Sequence, residues 1–587
     1  MAVRQCLAGC LSIRLSVVNS PILQRHGKPT KQLTHRSRGG YIWIMANARY
    51  NPPQPYNEPV LDYAPGSAER AAVKAKLSEL KFTPVEVPLI IGGREVKTGN
   101  TAPLRAPHDH TIDLGVYHKA GEAEVRMAID AALEARAAWE EMPWEQRASV
   151  IMKAADLLAG PWRQTVNAAT ILGQSKTIYQ AEIDSACELI DFWRFNVSYL
   201  AQLMSDQPAS SVGVWNRLEY RALEGFVFAV TPFNFTAIGG NLPTAPALTG
   251  CTVLWKPTSS AVYSAWHVMR LLQEAGLPAG VINFIPGSGA EVGDPALNSP
   301  DLAGIHFTGS TETFQRMYRT VAGNLERMKH YPRIVGETDG KDFIFVHASA
   351  DVEALVAAAV RGAFEYQGQK CSAASRMYIP RSLWPAFKER FTAEVSQIKM
   401  GDPEDFTNFM AAVIDKASFE NIAGYIDYAR SADDAEIITG GGCDRERGWF
   451  VEPTTIVTTN PRFKTMEEEI FGPVLTIYVY QDEKLEDTLA LCDGTSPYAL
   501  TGSVFAQDRE AIVRISDALR NAAGNFYVND KPTGAVVGQQ PFGGARASGT
   551  NDKAGSPLNL LRWMSARTIK ETMVPPTDWR YPFMDKV

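Results

Sequence analysis

Apolar residues recur at helical spacing between Glu122 and Met142, where Val125, Ile129, Ala132, Leu133 and Ala137 share one face. The stretches 148–158 and 175–200 repeat that pattern and predict two more helices. From Glu224 the rhythm changes. Short, nearly unbroken apolar runs at Phe226–Val230, Thr252–Lys256, Val281–Ile285 and Gly304–Phe307 each stop at a polar or glycine-containing turn, and a helix is predicted from about Ser260 to Ala275. Such runs, separated by helices, predict a parallel sheet covered on both faces. A second series begins near Pro332: a strand Asp342–Val346, an alanine-rich helix Val352–Tyr366, a loop Gln367–Ser372 and a strand Arg376–Ile379. The expectation is an α/β chain with two parallel-sheet domains facing each other across a cleft, 58–333 and 334–549, followed by a tail, 550–587. Residues 206–223 alternate enough to form a projecting hairpin. In such sheets ligands bind beyond the carboxyl ends of the strands. Gly, Asn, Thr and Lys cluster at those ends.

Composition narrows the function classes. With 45% hydrophobic and 21% charged residues in 587, the chain is globular rather than disordered. No apolar run approaches the roughly 20 residues a membrane-spanning helix needs. No basic stripe marks a nucleic-acid surface. The net charge of −7 is unevenly placed: residues 1–57 hold eight bases and no acid, leaving −15 for the rest. A basic, acid-free head predicts a mitochondrial presequence and the matrix as destination. A disordered basic tail, or a start at Met45, is the alternative. Arg14 interrupts the short apolar run Cys6–Ile13, against a secretory signal. The seven cysteines are widely spaced with no C-x-x-C pair, so neither a disulfide framework nor a structural zinc site is expected, and no metal is predicted. A reducing compartment fits.

Several residues carry candidate chemistry. Cys371 lies in a polar loop beside Lys370 and Ser372, where a positive charge or backbone N–H groups would favour a thiolate nucleophile. A lone cysteine is more commonly a small buried hydrophobe. Glu337 ends a short apolar strand next to Gly336, placed as a general base; the plain alternative is a solvated carboxylate. Asn234, in Thr231-Pro232-Phe233-Asn234, could donate to an oxyanion or only stabilise its own turn. Lys256 could hold a ribose hydroxyl or a phosphate, or be a surface lysine. The turn Thr308-Gly309-Ser310 offers N–H groups at a helix start. Gly287, Gly289 and Gly293 miss the dinucleotide fingerprint.

Taken together, the order and spacing of these segments resemble the aldehyde dehydrogenase superfamily from about residue 60 onward. Glu467–Pro473 (EEEIFGP) and Pro541–Gly544 (PFGG) add two further motifs. The longer runs Thr231–Asn241, Phe364–Ser372, Asn529–Gly534 and Gly538–Lys553 are similar to the branch that oxidises glutamate γ-semialdehyde. The resemblance implies two Rossmann-like domains, one binding NAD and one catalytic, with a small β oligomerisation element. It implies Cys371 as nucleophile, Glu337 as base, and Asn234 with the Cys371 N–H as oxyanion hole. NAD would be lined by Thr231, Lys256, Gly309, Ser310, Thr311, Glu312, Thr313 and Glu469. The substrate would meet Glu188, Phe235, Lys370, Ser372, Gly534, Ala535 and Phe542. A homodimer or larger homo-oligomer is implied, with a small amino-acid aldehyde as the only partner. Two positions depart from the pattern. Asp339 replaces a small residue near Glu337 and is expected to raise its pKa. Ala535 stands where some members have Ser. An aldehyde dehydrogenase for another substrate is one rival reading. A catalytically silent binding protein, which Asp339 alone favours, is the other.

Overall fold

A computed structural model describes Ala48 and residues 50–584; the expected presequence up to residue 47 lies outside them. Two seven-stranded sheets organise these residues. In the first, Arg333–Glu337, Leu302–Thr308, Phe226–Thr231, Thr252–Pro257 and Ile282–Phe284 run parallel in that spatial order, and the antiparallel strands Leu89–Ile91 and Arg94–Val96 close one edge. In the second the order is Ala435–Thr439, Thr454–Thr458, Val474–Tyr480, Arg376–Pro380, Phe343–Val346, Thr501–Phe505, Asn525–Val528; all neighbours are parallel except the Ala435–Thr439 edge.

The unbroken apolar runs follow from burial on both faces. Successive side chains of a strand point to opposite sides, so each strand feeds two cores. Val227, Ala229, Val253 and Trp255 enter one, while Phe226, Phe228, Leu254 and Phe307 enter the other. The second sheet divides the same way, with Phe343, Phe345 and Tyr378 on one face and Ile344, Val346, Met377 and Ile379 on the other.

The structure corrects three local expectations. The helix expected over 175–200 begins at Ile178, because Ser175, at φ +54°, ends the preceding helix Arg163–Gln174, and it is not uniform: Ile178–Ala181 passes through a π-helical turn Glu182–Glu188 into Leu189–Ser205. The Asp184 carboxylate in that turn accepts from the backbone N–H of Thr236 (3.0 Å) and Ala237 (2.9 Å), a contact no local periodicity encodes. Residues 206–223 make no hairpin by themselves. Val214–Ala222 pairs antiparallel with Met564–Thr572, so the second strand comes from the tail. The alanine-rich helix stops at Phe364, because Tyr366 and Gln367 turn left-handed, at φ +51° and +55°.

An ion-pair cluster straps the segment before the helix Ala68–Lys81 onto the helix Arg163–Gln174 and the π turn. The buried Arg163 guanidinium bonds Glu182, Glu58 and the Pro59 carbonyl, and the Glu182 carboxylate also accepts from Tyr63 Oη (2.8 Å) and Asn167 Nδ2 (2.8 Å).

Candidate active site

The left-handed pair at 366–367 aims the loop that carries Cys371. The Gln367 amide donates to the carbonyls of Ala412 (2.7 Å) and Ser175 (3.2 Å) and accepts from Ala411 N–H, while Gln369 Oε1 accepts from Ile414 N–H. Held at these points, the loop places the Cys371 thiol, only 8% exposed, 3.2 Å from Glu337 Oε1, to which it donates. Glu337 is the last residue of its strand and is held from both sides. Its carbonyl accepts from Gly309 N–H (3.2 Å), and it forms an isolated bridge with Gly549. Around that bridge, Thr338 N–H donates to Ser548 O (3.0 Å) and Thr550 N–H to Gly336 O (2.9 Å). Gly549 has φ +131°, and a Cβ there would lie 2.3 Å from Gly336 O, so only glycine permits this approach.

The electrostatics differ from the expectation in two respects. Among the described residues no cation is recorded as favouring a Cys371 thiolate. The Lys370 amine instead pairs with Glu365 Oε2 at 3.2 Å. Burial, reinforced by the Glu337 charge, pushes the thiol well above its ordinary range. Glu337 itself is raised by burial to about 7, opposed by the thiol hydrogen bond. The resting pair is therefore a neutral thiol bonded to a carboxyl poised near neutrality, and Glu337 is the proton acceptor within reach. Asp339 does not act on Glu337. Its carboxylate accepts from Thr311 N–H (3.0 Å) and Tyr498 Oη (3.4 Å), and its charge adds to burial in raising Glu469.

Cys371 lines two cavities at once. The first, about 360 Å³, is also lined by Glu337, Glu188, Phe235, Lys370, Ser372, Gly534, Ala535 and Phe542, so it gathers every substrate residue expected from sequence. Burial, with the charge of Asp184, pushes Glu188 well above the carboxylate range. Ser372 Oγ donates to Thr533 Oγ1 at 2.8 Å, beside Gly534 with φ +99°. The second cavity, about 450 Å³, lies beyond the carboxyl ends of the first sheet's strands. Thr231, Asn234, Lys256, Gly309, Ser310, Thr313, Asp339 and Glu469 line it. Thr311 and Glu312 are not among its lining residues. Thr311 faces Asp339 through its N–H, and Glu312 is exposed in the first turn of the helix Thr311–Gly323.

This second cavity suits a dinucleotide. Ser310 caps the helix that opens there, its Oγ accepting from Thr313 N–H, so the cavity meets a helix N-terminus that favours phosphate. Lys256 is buried, and desolvation lowers its amine to about 8. Its only hydrogen bond among the described residues is a long one, 3.4 Å, to Pro257 O. Glu469 accepts from Gly340 N–H at 2.8 Å.

Some contributors went unread in the sequence. Phe471, at φ +56°, lines the second cavity and packs edge-on against Phe233. Lys176 is wholly buried, bonds Asp184 at 2.7 Å and lies over the rings of Phe235 and Tyr366 beneath the first cavity. A lysine and an aspartate eight residues apart, among Ser175, Thr177, Gln180, Glu182 and Ser185, give no pattern.

Two sheets meeting at a cysteine shared by two cavities define a thiol enzyme with a nucleotide-sized second chamber. A family model described as the aldehyde dehydrogenase family matches residues 95–569, and the chain belongs to that family. It is 56% identical over 540 residues to the mitochondrial Delta-1-pyrroline-5-carboxylate dehydrogenase of Dictyostelium discoideum, covering 92% of this chain and 97% of that one. The human protein of the same name is 50% identical over 529 residues, covering 90% and 94%. The crystal structure of the Delta-pyrroline-5-carboxylate dehydrogenase from Mycobacterium tuberculosis bound with NAD superposes with a TM-score of 0.89 at 51% identity, covering 92% of this chain and all of that one.

Proposed function

We propose that this chain oxidises glutamate γ-semialdehyde, the open form of 1-pyrroline-5-carboxylate, to glutamate with NAD, the second step of proline catabolism. The observation that carries the reading is Cys371 Sγ standing 3.2 Å from Glu337 Oε1 where two cavities meet. Relatives that share about half of the sequence over nine-tenths of the chain carry the corresponding name.

In this reading Glu337 takes the thiol proton as Cys371 Sγ attacks the aldehyde carbon. The Asn234 amide and the Cys371 backbone N–H hold the resulting oxyanion. NAD, held by Thr231, Lys256, Gly309, Ser310 and Glu469, supplies a hydride acceptor when bound. Loss of hydride from the tetrahedral carbon leaves a thioester on Cys371. Once Glu337 has released the thiol's proton to solvent, it removes a proton from water, which attacks the thioester and expels the Cys371 thiolate, and that proton returns to the sulfur as glutamate is released. Ser372 and the N–H groups of Gly534 and Ala535 receive the substrate carboxylate. Glu188 receives its ammonium, a cation that offsets the cost of ionising this buried carboxyl. Phe235 and Phe542 clamp the stem and keep the aldehyde near the thiol.

We further infer a cofactor half, a catalytic half and a bridging tail, with the first boundary moved from 333/334 to after Glu337, because the strand Arg333–Glu337 pairs within the first sheet. The ribbon of Val214–Ala222 with Met564–Thr572 supports a homodimer or higher assembly, since Val212, Trp215, Met573 and Val574 leave apolar surface exposed along it. The acid-free head and the relatives' names support the mitochondrial matrix.

The test is NADH formation from 1-pyrroline-5-carboxylate, wild type beside Cys371→Ala. Turnover only in the wild type, well above that with simple aliphatic aldehydes, is expected. Binding of NAD without turnover of any aldehyde would overturn the reading.

A further inference from the structure

Away from the two cavities, His108, Asp402 and Glu404 bring one ligand atom each within 4.8 Å of one another. They come from separate parts of the chain. His108 sits in the turn between the strands Thr101–Ala106 and Asp109–His118, and the two acids lie in the loop after the helix Trp384–Val395. A third segment bridges the two regions: Trp449 N–H donates to Pro107 O, and Arg447 bonds Asp109 Oδ2 at 2.9 Å and approaches Asp402 Oδ2 at 3.6 Å.

The imidazole gives the cluster its direction. His108 is 1% exposed, and its Nδ1 bonds Ser175 Oγ at 2.8 Å. Its Nε2 has no hydrogen-bond partner. The nearest carboxylate oxygen recorded for it, Asp402 Oδ1, is 3.9 Å away, too far for a hydrogen bond. When Nδ1 carries the proton and donates to Ser175, the Nε2 lone pair is left unpartnered, with Asp402 Oδ1 3.9 Å away and Glu404 in the same cluster. A cation between them satisfies all three groups at once. Two cations already pair with the acids, Lys81 Nζ with Glu404 Oε1 (2.6 Å) and Arg447 Nη2 with Asp402 Oδ2 (3.6 Å). Neither reaches the imidazole nitrogen.

We propose that His108, Asp402 and Glu404 form a binding site for a first-row divalent cation that ties the 106–109 turn to the 401–410 loop. One imidazole and two carboxylates match Zn2+ or Mn2+ better than Ca2+ or Mg2+, which favour all-oxygen sites. The site lies apart from the thiol chemistry, yet it abuts the same Ser175 whose carbonyl accepts from Gln367 in the Cys371 loop.

The test uses the chelator-treated full chain carrying Cys371→Ala, which removes the active-site thiol as a competing ligand. Zn2+ binding is followed by equilibrium dialysis and calorimetry, with Mn2+ as second probe. One equivalent is expected, weakened more than about tenfold by His108→Asn and by Glu404→Gln, since losing even outer-shell support costs ~10–100-fold. Glu404 lies on a partly exposed loop, so Glu404→Gln keeps the test decisive if His108→Asn does not fold. A rise in melting temperature with Zn2+ that Glu404→Gln abolishes is the second readout. Absence of a saturable equivalent, or an affinity unchanged in both Glu404→Gln and Asp402→Asn, would overturn the proposal.

Discussion

Glu337 offers the sharpest test of how the site works, because burial sets both its chemistry and its cost. Its carboxyl is raised from 4.5 to about 7. A base acts when deprotonated, so kcat/KM must rise with pH through that value. A group titrating near 7 is roughly 10% ionised at pH 6 and roughly 90% at pH 8. The expected gain is about ninefold between those two values. Glu337→Gln keeps the shape and a thiol-bond acceptor but removes the proton acceptor, and should lower kcat by ~10²–10⁴ while flattening the profile. The stability consequence has the opposite sign. A carboxyl whose folded pKa is raised favours the protonated fold, so its contribution is fully present below pH 4.5, declines as pH rises and is gone above about 7. At 1.36 kcal/mol per unit the loss amounts to roughly 3 kcal/mol. Glu337→Gln should therefore be more stable than the wild type at pH 8 and equal to it near pH 4. NADH formation from 1-pyrroline-5-carboxylate, measured from pH 6 to 9 for both proteins in the same buffers, cancels substrate speciation; urea unfolding at the two extremes gives the stability. A flat wild-type profile, or a variant that keeps the wild-type slope, would refute the assignment of Glu337 as the titrating base.

Other consequences are simpler to measure. Asn234→Ala should cut kcat by ~10²–10³ with little change in KM, the loss of one oxyanion donor; an unchanged kcat in steady-state assays would remove Asn234 from the mechanism. Gly534→Ala forces a side chain onto φ +99°, costs ~1–2 kcal/mol and should raise KM for the semialdehyde more than it lowers kcat. Arg163→Met leaves the buried Glu182 carboxylate without its main partner and should lose ~3–5 kcal/mol in urea unfolding. Replacing both residues by apolar ones should recover most of that, and no recovery would mean that shape rather than charge holds the strap.

What could be read from the sequence depended on whether the determining contacts were local. The strands Phe226–Thr231, Thr252–Pro257 and Leu302–Thr308 are buried along their whole length, so continuous apolarity marked them. Cys371, Glu337 and Asn234 stand at element ends, where short motifs are visible. The π turn was not legible, because what holds it is Asp184 reaching amides more than 50 residues away. The partner of the Val214–Ala222 strand lies over 300 residues downstream, beyond any pattern of alternation. Lys370 misled for a related reason. Adjacency to Cys371 suggested a charge for the thiolate, but the kink at 366–367 folds the lysine back onto Glu365.

The bridge between Glu337 and Gly549 gives the cleft an unusual mechanical property. The strand ending in the proposed base shares its outer edge with a segment far downstream, and its carbonyl is tied inward to Gly309. The 548–550 segment cannot move away from that strand without breaking the hydrogen bonds that orient the carboxylate's backbone, so Glu337 sits on a seam tied from both sides. Entry and exit of ligands must be accommodated by the outer rims. The amide protons of Thr338 and Thr550 should then exchange with solvent about as slowly as those of the central strands, however freely the rest of the cleft breathes.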